Sequence, residues 1–109
     1  ASASEVTFEL KVRDIEYFAD AIDYAKMGLV PAGAYKNRRY SIDKVETGSV
    51  EEHYLDLLYD PQTSGGLLIS VAPEYLEQML ADFARSGIDT KVSVIGRVAG
   101  KSDKLIRLY

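Results

Sequence analysis

The chain has 109 residues, 47% of them hydrophobic and 28% charged, with 17 acids against 13 bases for a net charge of −4. That length holds one domain with one core, and the composition excludes disordered, collagenous and low-complexity classes. The acidic balance argues against phosphate-backbone binding, and the absence of cysteine excludes disulfides, Cys zinc sites and a Cys nucleophile within this chain.

No run approaches the ~20 apolar residues of a membrane span, and no basic start leads into an apolar stretch, so neither a membrane partner nor a signal peptide is expected. The chain does not begin with Met. Residues 1–4 read as a cut end, leaving a single domain over 5–109 that is expected to be a piece of something longer.

Residues 6–12 alternate, with Val6, Phe8, Leu10 and Val12 apolar, which predicts a half-buried strand. Asp14 is a good N-cap, and Ile15, Phe18, Ala19, Ile22 and Ala25 recur at helical spacing up to Gly28, so a helix is expected over 15–27. Residues 29–48 carry Pro31, Gly33, Gly48 and the basic cluster Lys36, Arg38 and Arg39, with no period. They read as a long loop, of the kind that is often functional. Ser49 and Glu52 have capping-box spacing ahead of a helix over 50–58, which Asp60-Pro61 ends.

Residues 67–72 read as a buried strand. Pro73 opens the clearest helix, with Leu76, Met79, Leu80, Phe83 and Ala84 on one stripe and Gly87 as terminator. Residues 91–98 read as a strand, 99–103 as a turn and 105–108 as a closing strand. The expected fold class is α/β, with α+β also open: a mixed sheet of about four strands carrying about three helices. Within it, 67–98 would make a parallel crossover and 92–108 an antiparallel hairpin.

The strongest local signal is Asp60-Pro61-Gln62-Thr63-Ser64-Gly65-Gly66. Its hydroxyls, its amide and its glycines suit close backbone approach to a ligand. Equally, it fits an ordinary helix-to-strand connection in which Asp60 and Thr63 satisfy turn amides. The segment from Lys36 through Asn37, Arg38 and Arg39 to Tyr40 suits a phosphate or an acidic surface, or else a solvated cluster. His53 stands alone among Glu51, Glu52 and Asp56 and has no second histidine, so no metal site and no catalytic triad are expected.

The run Leu57-Leu58-Tyr59-Asp60-Pro61-Gln62-Thr63-Ser64-Gly65-Gly66-Leu67-Leu68 resembles the C-terminal domain signature of the selenophosphate synthetase (selenide, water dikinase) family. Gly28-Leu29-Val30-Pro31 followed by Gly33, Asn37 and Tyr40 is similar to a second family segment, and Val94-Ile95-Gly96-Arg97-Val98 to a third. The three fall in family order over most of residues 6–98. One departure is Ala32-Gly33-Ala34, where many members carry Gly-Gly-Thr.

This resemblance implies an aminoimidazole-ribonucleotide-synthetase-type C-terminal domain of a cytoplasmic two-domain enzyme. The family converts selenide, ATP and water to selenophosphate, AMP and phosphate, with ATP and Mg2+ held mainly by an N-terminal domain. No catalytic residue and no cofactor are then expected in this chain. Asn37, Arg38, Asp60, Gln62, Thr63, Ser64, Gly65 and Gly66 would help close the nucleotide site. The expected partners are the chain's own N-terminal domain, selenide as the parent's substrate, and a second copy, since a domain cut from its partner exposes an apolar patch. The other readings are a different ATP-dependent member of the same superfamily and a stand-alone binding module.

Overall fold

The computed structural model describes all 109 residues, Ala1–Tyr109. Its centre is a mixed four-stranded sheet built from β1 (Val6–Leu10), β2 (Val45–Glu46), β3 (Gly96–Gly100) and β4 (Ile106–Leu108), in the order β2-β4-β1-β3. The helices are α1 (Ala19–Lys26), α2 (Ala32–Ser41), α3 (Glu52–Leu58) and α4 (Leu76–Arg85), with 3-10 turns at Val12–Asp14 and Pro73–Tyr75.

β1 forms because its alternation places Val6, Phe8 and Leu10 on one face. Phe8 lies opposite Val98 of antiparallel β3 and opposite Ile106 of parallel β4, so these side chains share that face. The core sits there: Val12, Leu55 and Leu108 are buried, with Leu10, Val45, Tyr54, Leu58 and Ile106 packed around them. Thr7 points to the opposite face and is the one buried polar residue. Its hydroxyl donates to the Lys104 carbonyl at 2.7 Å and accepts from the Ser102 amide at 3.1 Å.

Several expectations are corrected. The helix expected from residue 15 starts at Ala19, because Val12–Asp14 turns as a 3-10 segment and Phe18 takes extended backbone at the N-cap, 89% exposed. Ser49 and Glu52 form no capping box: Glu51 is the N-cap of α3, without a side-chain cap, and Glu52 is engaged elsewhere. The stretch taken as loop contains α2 and β2.

Residues 67–72 form no strand, and Leu67 is 91% exposed. Of 91–98, only Gly96 onward is strand, and that strand runs on to Gly100 through part of the expected turn. The crossover is therefore absent for want of a strand at 67–72, and the hairpin because β1 lies between β3 and β4 and takes the hydrogen bonds of both. The mixed sheet of four strands stands, and the helices number four.

The glycines expected to end helices do so. Gly28 has φ 77° after α1 and Gly87 has φ 71° after α4, the left-handed backbone that a side chain disfavours.

Candidate functional site

The two motif-bearing segments meet at one corner of the fold. Pro31 is the N-cap of α2, where its missing amide costs nothing. Gly33, in the first turn, lies so close to the loop after α3 that a Cβ there would stand 2.7 Å from Pro61 Cγ. One turn further along, Asn37 Nδ2 donates to the Tyr59 carbonyl at 2.9 Å. Tyr59 is the C-cap of α3, so the amide satisfies an oxygen that the helix end leaves free.

Arg38 donates to the Glu52 carboxylate through both terminal nitrogens, the Nη2–Oε2 contact being 3.2 Å. That hydrogen bond, with the guanidinium charge adding to it, holds the Glu52 carboxyl below its ordinary pKa and raises that of Arg38. Two neighbouring residues of α2 thus tie both ends of α3.

Asn37 and Arg38 are therefore occupied within the chain, whereas the loop they position is open. Asp60 is half-buried and residues 61–66 are exposed. The Gln62 amide nitrogen donates to the Asp60 carbonyl at 3.0 Å. The Gln62 side-chain oxygen occupies the space that a Cβ on Gly65 would take, so Gly65 lets the loop fold over its own amide. Thr63, Ser64 and Gly66 face solvent, and nothing lies within 4 Å of where a Cβ on Gly66 would be. The loop presents two hydroxyls, an amide and free backbone, which suits hydrogen bonding to an anionic ligand or to a neighbouring domain. Lys36 and Arg39 are exposed on α2 nearby in sequence.

His53 lies elsewhere, half-buried, its ring centroid 4.4 Å from that of Tyr54. Tyr54 also packs 5.6 Å from Tyr17 and carries the Arg13 guanidinium over its ring at 5.6 Å. Sequence reasoning missed this aromatic group, since Tyr17 lies in the irregular stretch before α1, Tyr54 lies in α3, and no period links them. Tyr54 and Arg13 also line an open cleft of about 490 Å³ whose rim carries Lys11, Asp14, Ser49 and Glu51.

No three His, Cys, Asp or Glu side chains are grouped so as to hold a metal ion. The residues present do not fit a magnesium site. No helix is long and apolar enough to cross a membrane.

The family model for AIR synthase related protein, C-terminal domain, matches residues 1–107. The chain belongs to that family. Among its relatives, the domain is 43% identical over 106 residues to selenide, water dikinase 2 of Peptoclostridium acidaminophilum, covering 97% of this chain and 30% of that protein. It is 44% identical over 107 residues to selenide, water dikinase of Clostridioides difficile (strain 630), again over 97% of this chain and 30% of the relative. Selenide, water dikinase of Clostridium botulinum (strain Eklund 17B / Type B) is 38% identical over 107 residues. The domain thus spans about 30% of the length of the curated relatives it matches.

Proposed function

We propose that this domain is the C-terminal part of an ATP-dependent selenophosphate synthetase, a cytoplasmic enzyme that forms selenophosphate, AMP and phosphate from selenide, ATP and water. What supports this is the match to dikinases over nearly the whole domain but only 30% of their length. ATP and Mg2+ would be held by the N-terminal domain, and selenide is the parent's substrate. The domain's own part is to pack on that N-terminal domain and to close one side of its nucleotide site.

The residues assigned to closure are Asp60, Gln62, Thr63, Ser64, Gly65 and Gly66, with Asn37 and Arg38 positioning them. The geometry favours this division, because α2 is tied to the base of the loop while the loop's polar groups face outward. Remote groups of this kind matter most when reacting atoms must be aligned. The domain by itself, without clustered carboxylates, binds ATP weakly at most.

The test is the full-length protein carrying Gln62→Ala, Thr63→Ala and Ser64→Ala together. Its melting temperature should stay near that of the parent, while selenide-dependent AMP formation falls at least about tenfold, a loss of ~1.4 kcal/mol in transition-state stabilisation. Full turnover in that stable variant overturns the loop's assignment. No selenide-dependent AMP formation in the unmodified full-length protein overturns the reaction itself.

A further inference from the structure

Acids outnumber bases 17 to 13 in this chain, so every cation could find a carboxylate. Nine of the 13 lysines and arginines do lie within ion-pair distance of one. The four that do not are Lys36, Arg39, Lys44 and Lys104, and they gather in one place.

α2 sets the arrangement. Asn37 and Arg38 turn one side of the helix toward α3, which leaves Tyr35, Lys36, Arg39 and Tyr40 exposed on the other. Residues four apart are neighbours on a helix, so Tyr35 stands beside Arg39 and Lys36 beside Tyr40. Past the helix end, the Lys44 ammonium lies 4.6 Å from the centroid of the Tyr40 ring. Lys104, just before β4, reaches the same spot, and its Nζ donates to the Asp43 carbonyl at 3.0 Å. The patch therefore runs from Lys36 to Lys104 with Tyr40, 80% exposed, at its centre.

The acids around it are mostly engaged. Glu46 and Asp103 both pair with Arg107, and Glu52 pairs with Arg38. Asp43 takes no ion pair. Four cations against Asp43 leave the patch at +3, so the remainder stands at −7 to give the total of −4. Like charges held together repel, and a partner's carboxylates relieve that repulsion.

The contrast between patch and remainder decides what fits. A long polyanion such as a nucleic acid runs off the patch onto an acidic surface. A compact cluster of roughly three or four carboxylates on a protein matches both its charge and its extent. Exposed Tyr and Arg are also the side chains that most often anchor protein interfaces. The patch leads away from the loop of residues 60–66: Gly33, at the start of α2, meets Pro61, whereas Tyr40, Lys44 and Lys104 lie at and beyond the other end. A domain packed on the loop leaves the patch open.

We infer that the outer face of α2, together with Lys44 and Lys104, docks an acidic cluster on a separate protein. Its openness rests on the reading that the loop faces the N-terminal domain, whereas the docking does not depend on the reaction assigned to the longer protein.

Fluorescence anisotropy with a labelled octaglutamate peptide tests this on the 109-residue chain and on the full-length protein. Binding is expected at ~0.01 M salt and should weaken at ~0.15 M, as the screening length falls from about 30 Å to about 8 Å. Lys36→Glu with Arg39→Glu should weaken it at least about tenfold. Helical circular dichroism should not change, because neither side chain has a partner within the chain to lose. Lys36→Gln with Arg39→Gln, the milder pair, should give a smaller loss in the same direction. Arg85→Glu with Lys101→Glu makes the same change in net charge elsewhere on the surface and should cost less than about twofold. A labelled oligouridylate of about 20 nucleotides should bind more weakly than the peptide. No binding of the peptide, equal losses in the two charge-reversed variants, or tighter binding of the oligouridylate overturns the docking of an acidic protein. Binding by the 109-residue chain that the full-length protein lacks means that the rest of the parent covers the patch, and overturns a separate partner.

Discussion

Tyr17 shows how burial sets the behaviour of a single residue. Its hydroxyl donates to the Val12 carbonyl at 3.2 Å, and its ring lies against Tyr54. Burial, with the neighbouring Tyr54 phenol adding, pushes its pKa up to about 12 from 10.0. In the unfolded chain the phenol ionises first, so between those values the unfolded state holds fewer protons than the native one. Tyr17 therefore contributes its full stabilisation below pH 10, and that contribution is lost as pH rises toward 12. Thermal melts across this range should show a falling Tm, and Tyr17→Phe should flatten that fall.

Asn37 works differently, since its amide meets a carbonyl at a helix end. Asn37→Ala should cost about 0.5–1.5 kcal/mol in urea unfolding, the usual net value of one hydrogen bond. A larger loss would mean that the contact also anchors the loop after α3.

At the level of elements, α2 is the instructive case. Only Ala34 of its ten residues is buried. It is held by Asn37 to the end of α3, by Arg38 to its start, and by the contact of Gly33 with Pro61. A helix docked by polar contacts and one glycine has no apolar period, so the sequence reads there as loop. Gly33→Val should accordingly be more damaging than its half-buried setting suggests. The branched side chain must displace Pro61, at about 1–3 kcal/mol, and the loop's trypsin or thermolysin sensitivity should rise with it.

β1, α3, α4 and β4 were legible because each carries its own period or its own stop signal, such as Pro61, Gly87 or the alternation from Val6. The state of residues 67–72 was not legible. An apolar run announces that it will be covered but does not name the surface that covers it, and here no strand of the same chain lies beside it. At the candidate site, the motif residues were recognisable as a group, but their division of labour was not. Asn37 and Arg38 face inward to α3 while Gln62, Thr63 and Ser64 face out, a difference that exists only once α2 is a helix.

For the molecule as a whole, a core of three buried apolar side chains is small for 109 residues. Leu55 sits among Val12, Leu108 and the half-buried Tyr54 and Leu58. Leu55→Ala should cost about 2–5 kcal/mol, a large share of the ~5–15 kcal/mol that ordinarily separates folded from unfolded chains. Chemical denaturation is expected to show a clearly lowered midpoint at an unchanged slope. A small shift there would show that stability resides outside this cluster.

The pairing of β1 with both β3 and β4 has a consequence in time. Thr7 is linked to Ser102 and Lys104, partners 95 and 97 positions away along the chain. During synthesis β1 therefore has nothing to pair with until β3 and β4, near the far end of the domain, have been made. At about 5–20 residues per second it waits several seconds as an unpaired, half-apolar ribbon. Contacts of such high sequence separation also slow spontaneous refolding, into the millisecond-to-second range typical of non-local sheets. The α2–α3 corner, whose contacts span far shorter distances, can form during that wait, so the loop of residues 60–66 can be in place before the sheet that supports it is complete.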